Sequence, residues 1–174
     1  MKRDTLLIIL GILLLAILYV FKDKILNTMD AFKTKFLPIA LRAAKVFGFS
    51  DPYFLLAQMY AENGGNSYLL NTANNVGSLI SRYNGAKLPT NTWWKGDDVA
   101  NPKNGLYFRK YDSIDDGFFD FAHLLSNSYH LGTAKNIQEF AEKIANSSYI
   151  SEANGDNRAQ YAQNIINTYN KLKA

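Results

Sequence analysis

The sequence predicts a mainly α-helical domain (α+β in detail) with a small β-hairpin lobe, preceded by an N-terminal membrane-spanning helix. Three observations carry that reading. Residues 5–21 form an apolar run without a single charge. Several later stretches repeat apolar side chains at helical spacing. Between them, from about 91 to 111, lies a β-prone segment bounded by strong turn signals. The organisation that follows is a membrane anchor over residues 1–24, a linker or helical extension over 25–33, and one folded domain over 34–174.

The apolar run, Thr5 to Phe21, is 17 residues long, at the short end of what spans a bilayer. Met1-Lys2-Arg3 precede it, and Lys22 and Lys24 follow. It is long for a signal core, and no small-x-small cleavage site follows, so it reads as an uncleaved anchor. Tyr19 and Phe21 suit the interfacial end. The flanking charges nearly balance, so charge alone does not orient it.

Phe36, Ile39, Ala40, Ala43, Ala44 and Phe47 mark an amphipathic helix over 36–48, with Pro38 near its start. Asp51 is a good N-cap and Pro52 fits the first position of a second helix. That helix reads Phe54-Leu55-Leu56-Ala57-Gln58-Met59-Tyr60-Ala61-Glu62-Asn63 and stops at Gly64-Gly65. Leu56, Met59, Tyr60 and Asn63 share a face. Glu62 falls in its last turn, where the helix dipole disfavours a carboxylate. A group placed against local preference is a candidate for function.

Periodicity is then lost. Asn66 to Asn75 is rich in turn formers, and Asn84-Gly85 and Asn101-Pro102-Lys103-Asn104-Gly105 signal turns. Leu106 to Tyr111 is β-prone, which gives a hairpin lobe that must pack on the helices. A helix over 113–130 follows, with Ser113 and Asp116 resembling a capping box and Phe118, Phe121, Ala122, Leu125 and Tyr129 buried. Further helices are expected over 136–146 and 156–172, separated by a loop containing Tyr149.

The chain has no cysteine, which excludes disulfides and thiolate metal sites. The net charge of +4 suits an anionic partner such as nucleic acid, anionic lipid or an acidic wall polymer. No nucleic-acid motif or basic cluster is present, so a nucleic-acid partner is not expected. His123 and His130 lie two turns apart, too far to share a metal, and no cofactor-binding or metal motif is visible. An acid at a helix end, followed by aromatic and amide-rich loops, fits glycosidic cleavage, in which a carboxylic acid protonates the leaving oxygen. Asn and Tyr side chains suit sugar hydroxyls and acetamido groups.

Residues 34–172 resemble bacterial glucosaminidase domains, glycoside hydrolase family 73. Leu56-Ala57-Gln58-Met59-Tyr60-Ala61-Glu62-Asn63-Gly64 is similar to the family's Leu-Ala-Gln-x-x-x-Glu-Ser-Gly, with Asn63 in place of Ser. Asn75-Val76-Gly77-Ser78-Leu79 resembles a shortened Asn-x-Phe-Gly-Ile-Lys. Phe108-Arg109-Lys110-Tyr111-Asp112-Ser113 matches Phe-Arg-x-Tyr-x-Ser in full. Tyr149, and then Tyr161-Ala162-Gln163-Asn164-Ile165, resemble the late Tyr motifs.

The resemblance implies a lysozyme-like helical fold with a β-lobe beside the cleft. It implies a peptidoglycan hydrolase that cuts the β-1,4 bond after N-acetylglucosamine. Glu62 is then the general acid, and Gln58, Asn75, Tyr111 and Tyr149 are substrate-binding candidates. A second carboxylate is expected in the β-lobe, where the acids are Asp97 and Asp98, unless the substrate's own acetamido group takes that part. Because peptidoglycan lies outside the cytoplasmic membrane, the expected location is that membrane, with the N-terminus inside and the domain facing the wall. Two alternatives stay open. One is a lytic transglycosylase or lysozyme-type muramidase, although the Gly-Leu-Met-Gln segment usual in transglycosylases is missing. The other is a non-catalytic wall-binding module of an envelope-spanning or phage-associated assembly.

Overall fold

The structure, a computed structural model, describes residues 28–65, 67–101, 105–150 and 157–174. The apolar run over 5–21 lies outside them. Among the described residues no helix is long and apolar enough to cross a membrane.

The first helix, α1, covers residues 28–47. Met29, Phe32, Phe36, Ile39, Ala40, Ala43 and Ala44 form its buried stripe, spaced by three and four residues. Met29 and Phe32 belong to the main core. The packed body therefore reaches into the stretch read from sequence as a linker or helical extension.

α2 (Pro52–Asn63) begins as expected: Asp51 caps it by accepting from the Tyr53 N–H at 2.9 Å. The six residues from Phe54 to Met59 are all buried. The one-faced pattern expected from sequence is thus too narrow, because a helix apolar on every side sits in the middle of a core. Gly64 ends it in the left-handed conformation at φ 60°, returning its N–H to the Tyr60 carbonyl at 2.8 Å.

A short helix, α3 (Tyr68–Ala73), follows where only turns were expected. Ser67 caps it through the Leu70 N–H at 3.1 Å, and Leu69, Leu70 and Ala73 are buried. Six residues are too few to display a helical period in sequence.

The β-lobe holds two antiparallel hairpins. β1 (Arg82–Tyr83) pairs with β2 (Ala86–Lys87) around Asn84-Gly85. β3 (Asp98–Ala100) pairs with β4 (Tyr107–Arg109), with Asp98 opposite Arg109. The lobe starts nearer residue 82 than 91. Residues 91–97 form no strand because Asn91 ties them down, accepting from the Trp93 and Trp94 N–H groups at 2.9 and 2.7 Å.

α4 (Ile114–His123) is capped by Ser113, whose Oγ accepts from the Asp116 N–H at 3.1 Å. The regular helix stops at His123, short of the expected 130, and continues as one π-turn over Leu124–Ser128. A 3₁₀ turn (Leu131–Thr133), α5 (Ile137–Ala145) and α6 (Arg158–Lys173) complete the fold. α6 packs against both α2 and α5. Its end is tied to the start of α2: Tyr169 Oη and Lys173 Nζ donate to Asp51 at 2.8 and 2.9 Å. The result is mainly helical with a small β-lobe, as the sequence led us to expect.

One close approach gives a test. Gly117 on α4 faces the backbone oxygen of Asn74, only 1.9 Å from where a Cβ would stand. Gly117→Ala must push the helix away from the loop that follows α3. Overpacking of this kind costs about 1–3 kcal/mol, so thermal denaturation should show Tm lowered by roughly 3–10 °C.

Candidate active site

Glu62 projects from the last turn of α2 into an open cleft of about 300 Å³. Two donors meet on its Oε1. Gln58, one turn earlier on the same helix, donates from Nε2 at 3.0 Å. Tyr161, from α6, donates its hydroxyl at 2.6 Å. Gln58 Nε2 also donates to the Tyr161 hydroxyl, closing a ring of three groups.

Tyr149 stands beside this ring. Burial raises its hydroxyl well above the ordinary tyrosine range. The charge of Glu62, the neighbouring Tyr161 and a hydrogen bond to Glu62 add to that, while a hydrogen bond from Gln58 opposes it. Tyr149 therefore stays a neutral hydroxyl. The loop that carries it is fastened to the start of α6 by Arg158, whose guanidinium donates to the carbonyls of Ser147 and Ile150, both at 3.0 Å.

The cleft has two walls beyond Glu62. One is the segment Gly77-Ser78-Leu79-Ile80. The other holds Leu124, Tyr129, Ser148 and Tyr149, with the Tyr129 and Tyr149 rings edge to face at 5.4 Å. Positions five apart diverge by about 140° on a regular α-helix. The π-turn over Leu124–Ser128 widens that turn, and both Leu124 and Tyr129 reach the cleft.

The first wall hangs on a buried polar cluster. Asn75 is fully buried and holds the loop in shape: its Nδ2 donates to the Leu79 and Arg109 carbonyls, both at 2.9 Å, and its Oδ1 accepts from the Leu79 N–H at 2.8 Å. Arg109 reaches the same wall through its own N–H to the Leu79 carbonyl at 2.9 Å and through Nε to the Ile80 carbonyl at 3.1 Å. Its Nη1 donates to the buried Asp120 at 2.6 Å. Tyr111 Oη donates to the same oxygen at 2.7 Å, and Asn91 Nδ2 to the other at 2.7 Å. Burial, and then the charge of Asp120, push the Tyr111 hydroxyl far above its ordinary value.

The structure thus sorts the residues singled out from sequence. Glu62 and Tyr149 share the cleft. Gln58 is buried behind Glu62 and touches its carboxylate instead of lining the cleft. Asn75 and Tyr111 do not line it either, because their polar groups are spent inside the scaffold. Asp97 is exposed, and its backbone oxygen accepts from Trp94 Nε1 and from the Lys110 N–H. Asp98 is turned to the β1–β2 hairpin, paired with Arg82 at 3.1 Å and Lys87 at 3.8 Å. Among the described residues that line the cleft, Glu62 is the carboxylate.

Two residues at the heart of this arrangement were not singled out as site residues from sequence. Tyr161 stood only in the apolar line of the last helix and in a family motif. Asp120 had no signal, because its partners lie on two other segments, Asn91 on one and Arg109 and Tyr111 on the other.

The profile of the family described as mannosyl-glycoprotein endo-beta-N-acetylglucosaminidase (glucosaminidase) matches residues 37–174. The chain is 26% identical over 155 residues to the peptidoglycan hydrolase FlgJ of Vibrio cholerae serotype O1, covering 80% of this chain and 42% of that protein. It therefore spans less than half the length of that relative. Among solved structures, a peptidoglycan hydrolase from Sphingomonas sp. A1 is similar with a TM-score of 0.59 at 25% identity, covering 82% of this chain and 92% of that one. The catalytic domain of the autolysin Auto from Listeria monocytogenes shares the fold, with a TM-score of 0.57 at 21% identity over 84% of this chain and 86% of that one. These likenesses are consistent with a lysozyme-like fold.

The polar cluster behind the cleft wall can be tested by itself. Asp120→Ala strands the largely buried Arg109 guanidinium and the Tyr111 hydroxyl. Removing one partner of a buried pair costs about 3–5 kcal/mol, so urea unfolding should give an unfolding free energy lower by that amount, through a lower midpoint at unchanged slope.

Proposed function

The chain belongs to the glucosaminidase family of glycoside hydrolases, and from that premise we propose that it hydrolyses peptidoglycan glycan strands with Glu62 as general acid. The observation that carries this reading is the Glu62 carboxyl, set at the cleft floor beside Tyr149 with hydrogen-bond donors fixed on one of its oxygens. In the proposed step the Glu62 proton passes to the glycosidic oxygen as the bond to the sugar carbon breaks. The carboxylate left behind is received by the Gln58 and Tyr161 donors already in place. The bond cut is the β-1,4 bond after N-acetylglucosamine.

The second role, stabilising the sugar cation, falls to the substrate's acetamido group on this reading: its oxygen bonds to the anomeric carbon as the leaving sugar departs, and water then displaces it there and returns a proton to the Glu62 carboxylate. Asp98 is committed to Arg82 and Lys87, and Asp97 contributes its backbone oxygen to the lobe. The relative and the solved structure titled peptidoglycan hydrolases support the choice of polymer. The basic net charge suits an acidic wall.

The apolar run over 5–21 supports a membrane anchor, and the proposed substrate, which lies outside the cytoplasmic membrane, puts it in that membrane with the N-terminus inside and the domain facing the wall. Deleting residues 1–24 should then move the protein from the membrane pellet to the soluble fraction on ultracentrifugation. Recovery of the truncated chain in the pellet would remove the anchor from the proposal.

The catalytic proposal is tested on purified sacculi. Glu62→Gln should lose on the order of 10²-fold or more of wall-clearing activity, since general acid catalysis is typically worth 10²–10⁴. Products of the wild type should carry a reducing N-acetylglucosamine end. An anhydro-muramic end would instead mark a transglycosylase, equal clearing by both proteins would overturn Glu62 as the acid, and no clearing by either would leave a wall-binding module.

A further inference from the structure

We infer that Gln58 and Tyr161 are positioning residues that decide which oxygen of the Glu62 carboxyl carries the proton. The inference rests on Glu62 being the acid proposed above. Both residues aim donors at one atom, Oε1, with Gln58 Nε2 at 3.0 Å and Tyr161 Oη at 2.6 Å. A protonated carboxyl oxygen carries a donor of its own and keeps only part of its acceptor capacity, so the oxygen that already receives two donors is the poorer place for the proton. Oε1 is therefore held as the acceptor, and the proton of the acid form sits on Oε2. Once the proton is given away, both bonds become charge-assisted and strengthen. They favour the charge as it develops, which is the condition for lowering a barrier.

The arrangement is built from two elements. Gln58 reaches Glu62 because residues four apart share a helix face. Tyr161 comes from α6, 99 residues further along the chain. The Gln58–Tyr161 bond fixes the two donors relative to each other, so neither can swing away alone.

A second observation separates this role from packing. Gln58 is 0% exposed, and its own Oε1 is buried with no hydrogen-bond partner among the described residues. A buried unpaired carbonyl is a net cost. Methionine or leucine would fill the same space without it. The amide is kept for its Nε2, which donates to Glu62 and Tyr161, beside Tyr149, which hydrogen-bonds both Gln58 and Glu62.

The test uses the full chain in detergent and soluble glycan strands prepared from sacculi. Tyr161→Phe keeps the ring and removes only the hydroxyl, and Gln58→Met keeps the volume and removes the amide. Each should lower kcat by about 10- to 100-fold, as expected for a lost hydrogen bond to a charged group, with KM little changed. Because each lost donor favours the carboxylate, its removal makes Glu62 a weaker acid, and the alkaline limb of the kcat–pH profile should move to higher pH. If either variant folds with unchanged kcat and an unchanged alkaline limb, the positioning role is wrong and only scaffolding remains. Glu62→Gln is run alongside. Wild-type activity there overturns the proposed acid itself, whereas an inactive Glu62→Gln with unaltered profiles in the other two overturns only the present inference.

Discussion

The structure depends most on one buried carboxylate that is not in the cleft. Asp120, on α4, accepts from Arg109, Tyr111 and Asn91, three side chains that otherwise belong to the β-lobe and its flanks. A buried charge is tolerable only when its hydrogen-bonding capacity is met, and here both oxygens are engaged. The constraint acts outward through Arg109. That residue stacks over the buried Trp94 at 4.9 Å, pairs with Asp120, and holds the carbonyls of Leu79 and Ile80. The cleft wall is therefore positioned by an ion pair on its far side. The Phe-Arg-x-Tyr motif, whose Tyr111 was a substrate-binding candidate from sequence, is explained by this scaffold: Arg109 and Tyr111 face inward and Asp120 receives both.

The central helix supplies the second constraint. α2 buries six consecutive residues, so its axis is fixed by α1 on one side and by α5 and α6 through the shared core. Polar groups survive in it only at its ends and at Gln58. At the start, Asp51 joins the cap to the end of α6; desolvation opposes its charge, but Lys173, the Tyr53 N–H and Tyr169 outweigh that and hold its carboxyl below the usual range. At the finish, Glu62 emerges just before Gly64 turns the chain away, and Asn63 fastens that end to the Val76 carbonyl at 2.7 Å. The helix dipole disfavours a carboxylate there, and side-chain donors from two elements replace what the backbone cannot offer.

The fold was legible where the physics is local. The caps at Asp51 and Ser113, the stop at Gly64 and the buried stripe of α1 follow from spacing and from side-chain hydrogen bonds to neighbouring N–H groups. It was less legible where few residues carry the signal, as in the six residues of α3 or the four that form β1 and β2. The π-turn after His123 was invisible for another reason. Leu124 to Ser128 continues the helical period of α4, so no residue type there marks where the wider turn begins.

For the site, the sequence by itself determined the element that bears Glu62, its place in the last turn, and the family pattern around it, because helix ends and short motifs are read from neighbouring residues. It could not determine what surrounds the carboxylate. Gln58 is one turn away and could have been foreseen from helix geometry, but Tyr161 becomes a partner only when α6 folds onto α2. The same holds for Asn75, Tyr111, Asp97 and Asp98, whose residue types suit either a cleft or a scaffold. Tertiary structure assigned Asn75 and Tyr111 to buried hydrogen bonds and Asp98 to an ion pair in the lobe. The physical reason is that a polar side chain's role is set by which donors and acceptors reach it, and those come from segments far apart in the chain.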